Sequence, residues 1–501
     1  MPHGFCYHES ETNHAVNQKI IKMKYLIWMA LLLGTCVQAV EQPNILFIAI
    51  DDMNDWTGFL GGHPQAQTPN MDRLALRGVN FSNAHCSAPG CSPSRNALLY
   101  GVEPFNSGLY AFYDQEGFSD QVLDGYVSLP TFFKSNGYET FGSGKIHHRR
   151  PPGPTEWTEF YQKKKSNPLK YDDVEGYFQG GKSKMRFSPT LNPPGDHNDY
   201  QNTTFGIDVL EREHDKPFFL AVGIVRPHLP FTCPKSFFDR YPTEVKPPRI
   251  KPGDLMDIPA VGRAMAKISD DKRFKQDEAW NKVRRAYLAS ISWADFNVGR
   301  LIDALEASPY AENTVVILWS DHGYGMGEKK HFRKFALWEE TTRVPFIIHD
   351  TRERKVISGR EVKDGVSLIN VYRTLADLSG LKVPDYVDGF SLAPQLKDTN
   401  HPINGPAICS WGRGNYTVRN RNWRYTRYYD GGEELYDHNQ DQDEWNNLAD
   451  QPEYTDVKKR LRAQLPKQEA PLIREGLEAW SIPYSADKSI RKKSKQQKAG
   501  K

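Results

Sequence analysis

The sequence predicts an α/β domain built on a mostly parallel sheet, followed by a smaller C-terminal antiparallel sheet. Continuous apolar runs, which are typical of strands buried on both faces, recur along the first 400 residues. Amphipathic segments separate these runs, and such alternation of strand and helix favours parallel pairing. Past about residue 405, short alternating segments are broken by Asn-Arg-Asn and Asp-Gly-Gly, a pattern that favours antiparallel strands.

The first half of the domain opens with a strand, NILFIAIDD, from Asn44 to Asp52, which ends in two carboxylates. The segment TPNMDRLALRGVNF predicts a short helix, with Thr68 as its N-cap and Gly78 as its stop. The segments SLPTFFKSNGY and ETFGSGK predict a helix and then a strand. A further buried strand is predicted from Lys216 to Ile224.

The second half continues the alternation. A long amphipathic helix is predicted from Ala279 to Leu305, and a strand from Thr314 to Gly323. The strand VPFIIHD and the helix VSLINVYRTLADLSG complete the pattern. Ligands of such sheets bind beyond the carboxyl ends of the strands, so the polar residues at those ends are candidate site residues. They are Asp51, Asp52, Lys145, His228, Asp321 and His322.

Composition indicates an ordinary globular protein. The chain has 501 residues, of which 38% are hydrophobic and 25% charged, and a net charge of +3, which is too small to indicate a nucleic-acid partner. The length allows one large domain and a smaller one. We therefore predict a main catalytic domain over residues 40–400, a C-terminal subdomain over 401–485 and a basic, disordered tail over 486–501.

The amino terminus has the layout of a secretory signal peptide. From Met23 the chain carries one lysine, an apolar run over 25–33 and Val-Gln-Ala before a cleavage position after Ala39. Residues 1–22 precede this layout, and we expect translation to begin at Met23. The apolar run is too short for a stable membrane span. The sequence thus predicts a secreted or periplasmic protein, with lipid attachment at Cys36 as the alternative.

Four cysteines remain after cleavage: Cys86, Cys91, Cys233 and Cys409. They form neither a disulfide framework nor a zinc-binding CxxC pair, although one disulfide of unspecified pairing is possible. Cys91 lies in HCSAPGCSPSRNALLYG and has three interpretations. It is a small buried hydrophobe, or a thiolate phosphatase nucleophile, or the precursor of a modified residue. The phosphatase loop places five residues between Cys and Arg, whereas three separate Cys91 from Arg95.

The run Cys-Ser-Pro-Ser-Arg, followed by Asn-Ala-Leu-Leu-Tyr-Gly, resembles the signature of the type I sulfatases. In that family a formylglycine-generating enzyme oxidises the cysteine to formylglycine (3-oxoalanine), whose hydrate is the nucleophile. The resemblance implies this modification at Cys91, a bracing role for Arg95 and an alkaline-phosphatase-like fold. Tyr100 stands where threonine commonly precedes the closing glycine, beyond the part that the modifying enzyme reads.

The same family binds Ca²⁺ through an Asp-Asp pair after the first strand and an Asp-His or Asp-Asn pair after a later one. Oxygen atoms are the ligands that Ca²⁺ prefers. A single aspartate is commonly a helix cap or part of a turn, but two such pairs at the ends of two apolar strands favour a site. The resemblance implies metal ligands at Asp51, Asp52, Cys91, Asp321 and His322.

A closer resemblance, to the iduronate-2-sulfatase branch, runs from about residue 44 to 449. It is carried by GLYAFYDQEGFSDQVLDGYVSLPTFFKSNGYETFGSGKIHH, PFFLAVGIVRPHLPF and SDHGYGMGEKKHFRK. It implies sulfate contacts from Lys145 and Lys334, a general base at His148 and a general acid at His228. His147 is an alternative for the role of His148.

The substrate is expected to be a sulfated carbohydrate. The run WGRGNYTVRNRNWRYTRYY over 411–429 is either a face that brackets an acidic sugar or a charged outer face of a sheet. The segment KIHHRRPPGP adds positive charge beside Lys145. Similarity to the iduronate branch suggests a uronic acid 2-O-sulfate or a sulfated deoxysugar. Two rivals stay open: a phosphonate or phosphate ester hydrolase, and a catalytically silent glycan-binding protein.

Overall fold

The computed structural model describes Met1 and residues 42–112, 118–149, 152–161, 167–178, 186–353 and 359–471. Residues 2–39 of the predicted signal segment, with Cys36, and the predicted tail 486–501 lie outside these residues. The compact unit that carries the fold begins at Pro43. The described residues after Pro43 are not divided further, and a boundary near residue 400 stays a prediction. Within the described ranges, no helix combines the length and apolar character needed to cross a bilayer.

Sixteen strands are described. They are β1 Asn44–Asp51, β2 Val79–Phe81, β3 Ala84–His85, β4 Glu139–Gly144, β5 Glu159–Phe160, β6 Tyr177–Phe178, β7 Arg186–Phe187, β8 Phe218–Pro227, β9 Thr314–Ser320, β10 Phe346–Asp350, β11 Arg360–Val362, β12 Val366–Ser367, β13 Ala407–Ser410, β14 Tyr416–Arg419, β15 Trp423–Arg427 and β16 Glu433–Asp437. Eight of them form the central sheet, in the order β11-β2-β10-β9-β1-β8-β4-β5.

The central sheet is mostly parallel, as predicted. The pairs β9–β1, β1–β8, β8–β4, β4–β5 and β11–β2 run parallel, whereas β10 runs antiparallel to both of its neighbours. A parallel return requires a long crossover, usually a helix. The segment that joins β9 to β10 contains no α-helix longer than Glu339–Thr342, which is consistent with the antiparallel return of the chain.

In the part of the chain that the structure describes, fourteen α-helices accompany these strands. They are α1 Pro69–Arg77, α2 Cys91–Tyr100, α3 Pro104–Ser107, α4 Phe118–Leu123, α5 Leu129–Ser135, α6 Asn198–Leu210, α7 Lys235–Phe238, α8 Ala260–Met265, α9 Ile268–Gln276, α10 Trp280–Ala307, α11 Glu339–Thr342, α12 Asn370–Leu378, α13 Ala393–Lys397 and α14 Thr455–Arg462. Helices α2, α5 and α12 share one apolar cluster with Phe47 of β1, and α1, α6 and α10 share the other with Ile48. Successive residues of β1 thus face opposite layers, which explains its uninterrupted apolar run.

Local details differ from the sequence predictions at several places, including the ends of the strands observed over 218–227 and 314–320. The helix predicted over 279–305 is observed over 280–307, and the segment predicted as one helix from Val366 begins with β12 before α12 starts at Asn370. Thr68 holds the N-cap position of α1, but its side chain makes no capping bond. Instead, Asp295 of α10 accepts hydrogen bonds from the backbone N–H groups of Asn70 and Met71.

The smaller C-terminal sheet is present and antiparallel, in the order β13-β14-β15-β16. Most aromatic and basic side chains of the run 411–429 point into the protein rather than outward. Trp411, Arg419, Arg424, Tyr425 and Tyr428 are all buried, while Arg413, Arg421, Arg427 and Tyr429 are exposed. The run is therefore mainly a packing surface, and it does not form a continuous cationic face for a glycan.

All four cysteines of the described residues are buried and free. The Sγ atoms of Cys86 and Cys409 lie 3.9 Å apart, because the backbone beside each residue is paired through the Ser410 N–H and the Ser87 carbonyl. Cys233 belongs to the opposite apolar cluster. Cys91 is set apart at the start of α2.

Candidate active site

Four adjacent strands of the central sheet deliver the predicted polar residues to one edge. Strands β9, β1, β8 and β4 are neighbours, and their carboxyl ends lead into Asp321-His322, Asp51-Asp52, His228 and Lys145. The turn after β4 depends on Gly144, which has φ +71°, and a Cβ there would lie 2.0 Å from the Gly223 carbonyl oxygen. A side chain at this position would therefore push Lys145 away from the site.

Helix α2 brings Cys91 to the same edge as its first residue, and every residue of the helix is buried. The Cys91 Sγ lies 2.8 Å from Lys334 Nζ, 3.3 Å from His322 Nε2 and 3.8 Å from Asp52 Oδ1. Burial raises the pKa of the thiol, but the nearby ammonium groups of Lys334 and Lys145 lower it further, so the pKa lies well below its ordinary value. The site thus favours an anion at this position.

Arg95, on the same helix, ties three strand ends together. Its guanidinium donates to Asp321 Oδ2 at 2.8 Å, to the Lys145 carbonyl at 2.6 Å and to Asp51 Oδ1 at 3.4 Å. The side chain is fully buried, and although burial lowers its pKa, Asp321 and Asp51 raise it above the ordinary value. The contacts of Arg95 indicate that it holds the carboxylates around Cys91 in place. The sequence predicts that Arg95 braces residue 91 itself, whereas these hydrogen bonds go to the neighbouring carboxylates.

The carboxylates converge as a metal site requires. Ligand atoms of Asp51, Asp52, Cys91 and His322 all lie within 4.8 Å of one another. Asp52 has φ +64°, a left-handed conformation that aspartate tolerates better than most residues, and its backbone N–H bonds to Asp321 Oδ1 at 3.0 Å. Two of the four residues supply carboxylate oxygens, which hard divalent cations prefer, so the spacing and donors of the cluster suit a divalent metal ion.

Asp321 lies in the same cluster, but both of its oxygens already accept hydrogen bonds from the protein. Oδ2 binds Arg95, and Oδ1 binds the backbone N–H groups of Asp52 and His322. Burial raises the pKa of Asp321 to about 7, against the lowering effect of Arg95 and His322. Its role as a metal ligand stays a prediction.

Two lysines approach the carboxylates from the open side. Lys145 Nζ lies 2.5 Å from Asp51 Oδ2, and Lys334 Nζ lies 2.8 Å from Asp52 Oδ1. Burial lowers the pKa of Lys334, yet Asp52 and Asp51 hold it well above its ordinary value. Both lysines are therefore cationic beside Cys91, where they can neutralise an anionic substrate.

The histidines have different environments. His228 is half-buried, with Nε2 3.8 Å from Asp52 Oδ2; burial lowers its pKa, but Asp52 and Asp51 raise it above the ordinary value. His147 is held by Glu156, whose Oε1 lies 2.7 Å from its Nε2. The neighbouring His148 packs its ring against Phe112 at 5.2 Å. The choice between His148 and His147 as the general base stays a prediction.

Two residues that hold the site in position, Tyr287 and Ser94, are absent from the sequence predictions. Tyr287 of α10 donates to the Asp52 carbonyl at 2.7 Å and accepts from the Asn54 N–H. Ser94 donates to the Asp321 carbonyl at 2.5 Å. Ser94 was visible within the cysteine motif, whereas Tyr287 lies 235 positions from its partner and resembles any other buried helix residue.

Comparison with known proteins agrees with this geometry. The family model described as Sulfatase matches residues 43–381, and one described as N-sulphoglucosamine sulphohydrolase, C-terminal, matches 327–471. A sulfatase of Formosa agariphila is 35% identical over 480 residues, covering 88% of this chain and 92% of that protein. Iduronate 2-sulfatase of Mus musculus is 31% identical over 394 residues, covering 69% and 70% of the two chains.

A solved structure described as a complex with its substrate, D-glucosamine-2-N,6-O-disulfate, matches with a TM-score of 0.65. It shares 21% sequence identity, and the match covers 89% of this chain and 100% of the other. At that identity the match supports the fold alone. The Sulfatase model covers more than half of the chain and the first relative nearly all of it, so this protein belongs to the sulfatase family, related to iduronate 2-sulfatase, and is a sulfuric ester hydrolase.

Proposed function

We propose that this enzyme hydrolyses a sulfate ester on an acidic carbohydrate, with residue 91 as formylglycine and Ca²⁺ held by Asp51, Asp52, His322 and Asp321. The observation that carries the proposal is the convergence of Cys91, the carboxylates and two lysines at one edge of the sheet. The Cys91 Sγ marks where the Cβ-bound oxygens of hydrated formylglycine would lie. One of these hydroxyls is the nucleophile that the family signature implies.

Charge complementarity supports an anionic substrate. Asp51, Asp52 and Asp321 are balanced by Arg95, Lys145 and Lys334. A bound Ca²⁺ would supply Lewis-acid charge to a sulfate oxygen. The filled site would then carry excess positive charge, which suits a sulfate monoester and the negative charge that develops on its bridging oxygen.

The remaining roles follow from position and exposure. Lys145 and Lys334 bind the sulfate oxygens, since their Nζ atoms face the place where sulfur is attacked. His228 keeps 31% of its side chain exposed and has a raised pKa, which suits an acid that protonates the leaving sugar oxygen. The resemblance to the iduronate-2-sulfatase branch, rather than a distance, supports His148 as the base that accepts the proton when the aldehyde re-forms.

For the substrate, we propose a uronic acid 2-O-sulfate or a neighbouring sulfated deoxysugar in a larger glycan. The similarity to iduronate 2-sulfatase supports the uronic acid, and the exposed Arg149 adds positive charge near Lys145. The predicted export signal would place the enzyme where polymeric glycans are degraded.

A desulfation screen tests the proposal. The purified protein is incubated with defined oligosaccharides sulfated at the uronic acid 2-position or the glucosamine 6-position, and with aryl sulfates and phosphonate esters. Released sulfate and phosphonate are measured, and the peptide that contains residue 91 is analysed by mass spectrometry. We expect sulfate release from a uronate 2-O-sulfate and the mass of formylglycine. Hydrolysis of phosphonates without any release of sulfate from sugars, or an unmodified thiol in active material, would overturn the proposal.

A further inference from the structure

Three aromatic side chains from distant parts of the chain meet beside the nucleophile helix. We call Phe112, Phe335 and Trp411 the aromatic shelf. The rings of Phe335 and Trp411 are stacked, with centroids 5.0 Å apart and an interplanar angle of 21°, and Phe112 meets Phe335 edge-on at 5.7 Å. The shelf contacts the residue before Cys91, since a Cβ on Gly90 would lie 2.9 Å from the Trp411 ring and 3.1 Å from the Phe112 ring.

The shelf adjoins two of the groups that act on the substrate. The Phe335 ring centroid is 5.6 Å from Lys334 Nζ, and that ammonium is 2.8 Å from the Cys91 Sγ. The Phe112 ring centroid is 5.2 Å from the His148 ring. Trp411 is buried behind the other two, whereas Phe112 and Phe335 keep part of their surface exposed. The structure thus presents partly exposed aromatic surface beside the Lys334 ammonium and the His148 ring.

Backbone conformation argues that the position of Phe335 is maintained for a reason. Its φ is +78°, a left-handed conformation that costs free energy for a bulky side chain and persists only where the surroundings impose it. The Phe335 N–H bonds to the Pro89 carbonyl at 2.9 Å, and its ring stacks on Trp411. Strain of this kind is concentrated at ligand-binding and catalytic positions.

We infer that Phe112 and Phe335 form the surface against which the sugar ring of the substrate packs, supported from behind by Trp411. This inference rests on the proposed function. A pyranose ring presents C–H groups on its faces, and these pack well against aromatic rings, which supply large apolar contact area at low conformational cost. The lysines fix the sulfate, while the shelf fixes the plane of the ring that carries it. Phe112 and Phe335 are therefore specificity-determining residues for carbohydrate esters.

The test uses the full-length enzyme and the sulfated oligosaccharide that it desulfates best. The variants are Phe112→Leu, which removes the ring, and Phe112→Tyr, which keeps it. Phe59→Leu is the matched control, since Phe59 is a half-buried phenylalanine that packs against the other apolar cluster. For each, kcat and KM are measured on the oligosaccharide, together with the inhibition constant of inorganic sulfate, which reports the sulfate pocket alone.

We expect Phe112→Leu to lower kcat/KM by about 10- to 100-fold, mainly through KM, with the inhibition constant of sulfate changed less than twofold. Phe112→Tyr and Phe59→Leu should stay within threefold of the unmodified enzyme. An unchanged kcat/KM in Phe112→Leu would overturn the inference, and so would a matching rise in the inhibition constant of sulfate, which would indicate a merely structural role. Absence of sulfate release by the unmodified enzyme would instead count against the proposed function.

Discussion

Two buried clusters of charged side chains lie close together along the chain, since Lys334 belongs to the first and Glu339 to the second. The site cluster comprises Asp51, Asp52, Arg95, Lys145, Asp321 and Lys334. The junction cluster, between the central sheet and the C-terminal sheet, comprises Glu339, Arg419, Arg424, His438 and Glu444. If His322 is counted with the site cluster, each cluster contains carboxylates and a histidine that lie close enough together to hold a metal ion.

The clusters differ in the kind of cation that they use. In the junction cluster, Arg424 forms ion pairs with both Glu339 and Glu444, and Arg419 adds a bond to Glu339 at 3.1 Å. Burial raises the pKa of Glu339, but Arg419, His438 and Arg424 lower it further, to well below its ordinary value. Planar guanidinium groups satisfy these carboxylates in fixed geometry, so the negative charge of Glu339 and Glu444 is already paired within the protein.

In the site cluster the cations that face the opening are lysines, whose side chains are 18% and 10% exposed. An ammonium group is a point charge on a flexible stem and can turn from a carboxylate to an incoming anion. Arg95, the arginine of this cluster, is fully buried behind the carboxylates. In this protein the buried arginines pair with carboxylates and thereby stabilise the fold. The partly exposed lysines can leave their carboxylates and bind an anionic substrate.

The largest expected effect separates the clusters by function. Cys91→Ala should lower turnover about 10⁴-fold or more, the order observed when a nucleophile is removed, because every other group in the site acts on a reaction that starts at residue 91. The fold should persist, since alanine fills most of the space of a buried thiol. Sulfate release and thermal unfolding are the measurements, and near-normal turnover would refute the assignment of the nucleophile.

Metal content provides the second comparison. We expect one Ca²⁺ per chain, and chelation should lower activity about a thousandfold, because a bound cation supplies several kcal/mol of transition-state stabilisation. Asp52→Asn should lose the ion, whereas Glu339→Gln should retain it. Elemental analysis and titration calorimetry measure the stoichiometry, and re-addition of Ca²⁺ after chelation is the control. Two ions per chain, or full activity in metal-free protein, would contradict the comparison.

A matched pair of substitutions tests stability against activity. Arg424→Met should destabilise the protein by about 3–5 kcal/mol, because it leaves Glu339 and Glu444 buried without their main cation. Lys145→Met should cost less stability, since Asp51 keeps its bond to Arg95, but should lower kcat/KM by about 10²–10³-fold. Urea unfolding and kinetics of the folded fraction measure both. A reversed order of the two stability losses would break the distinction between arginine and lysine.

Much of the site cluster was predictable from sequence because its chemistry is concentrated in short runs. The pairs Asp51-Asp52 and Asp321-His322 end apolar strands, and parallel strands deliver their ends to one edge. The junction cluster was not predictable. Arg419 and Arg424 suggested a glycan surface as readily as an outer sheet face, and their burial depends on Glu339, which lies 80 and 85 positions away.

The same limit applies to the fold. Apolar runs gave the strands of the central sheet, but the direction of β10 depends on the connection that precedes it. The cap of α1 comes from Asp295, 225 positions beyond Asn70, although Thr68 is a good local candidate. The shelf residues carry no periodic signal either, since Phe112 and Phe335 lie in irregular segments. Sequence patterns report local preference, whereas these features depend on contacts between distant segments.

The last comparison concerns stability alone, at a buried carboxyl that makes no ion pair with a lysine or an arginine of the described residues. Glu103 is 7% exposed, and among the described residues its Oε2 has no hydrogen-bond partner. Burial, reinforced by Asp388, raises its pKa from 4.5 to about 8, against the lowering effect of the Ser87 hydroxyl. Glu103 should therefore be uncharged at neutral pH, unlike Glu339 of the junction cluster, whose pKa is lowered.

A raised carboxyl pKa fixes the sign of the pH dependence. Between pH 4.5 and about 8 the folded state holds the Glu103 proton while the unfolded state loses it, so the contribution of Glu103 to stability is complete below pH 4.5 and is lost as the pH rises through 8. In Glu103→Gln this loss, on the order of 3–5 kcal/mol, should be absent. Urea unfolding of both proteins at pH 5 and pH 8 measures the difference, with Phe59→Leu as a control that keeps the carboxyl. The free energies of unfolding of Glu103→Gln and of the unmodified protein could instead change by the same amount between pH 5 and pH 8. That result would show that Glu103 is ionised in the folded state, and that a buried carboxylate at this position needs no cation.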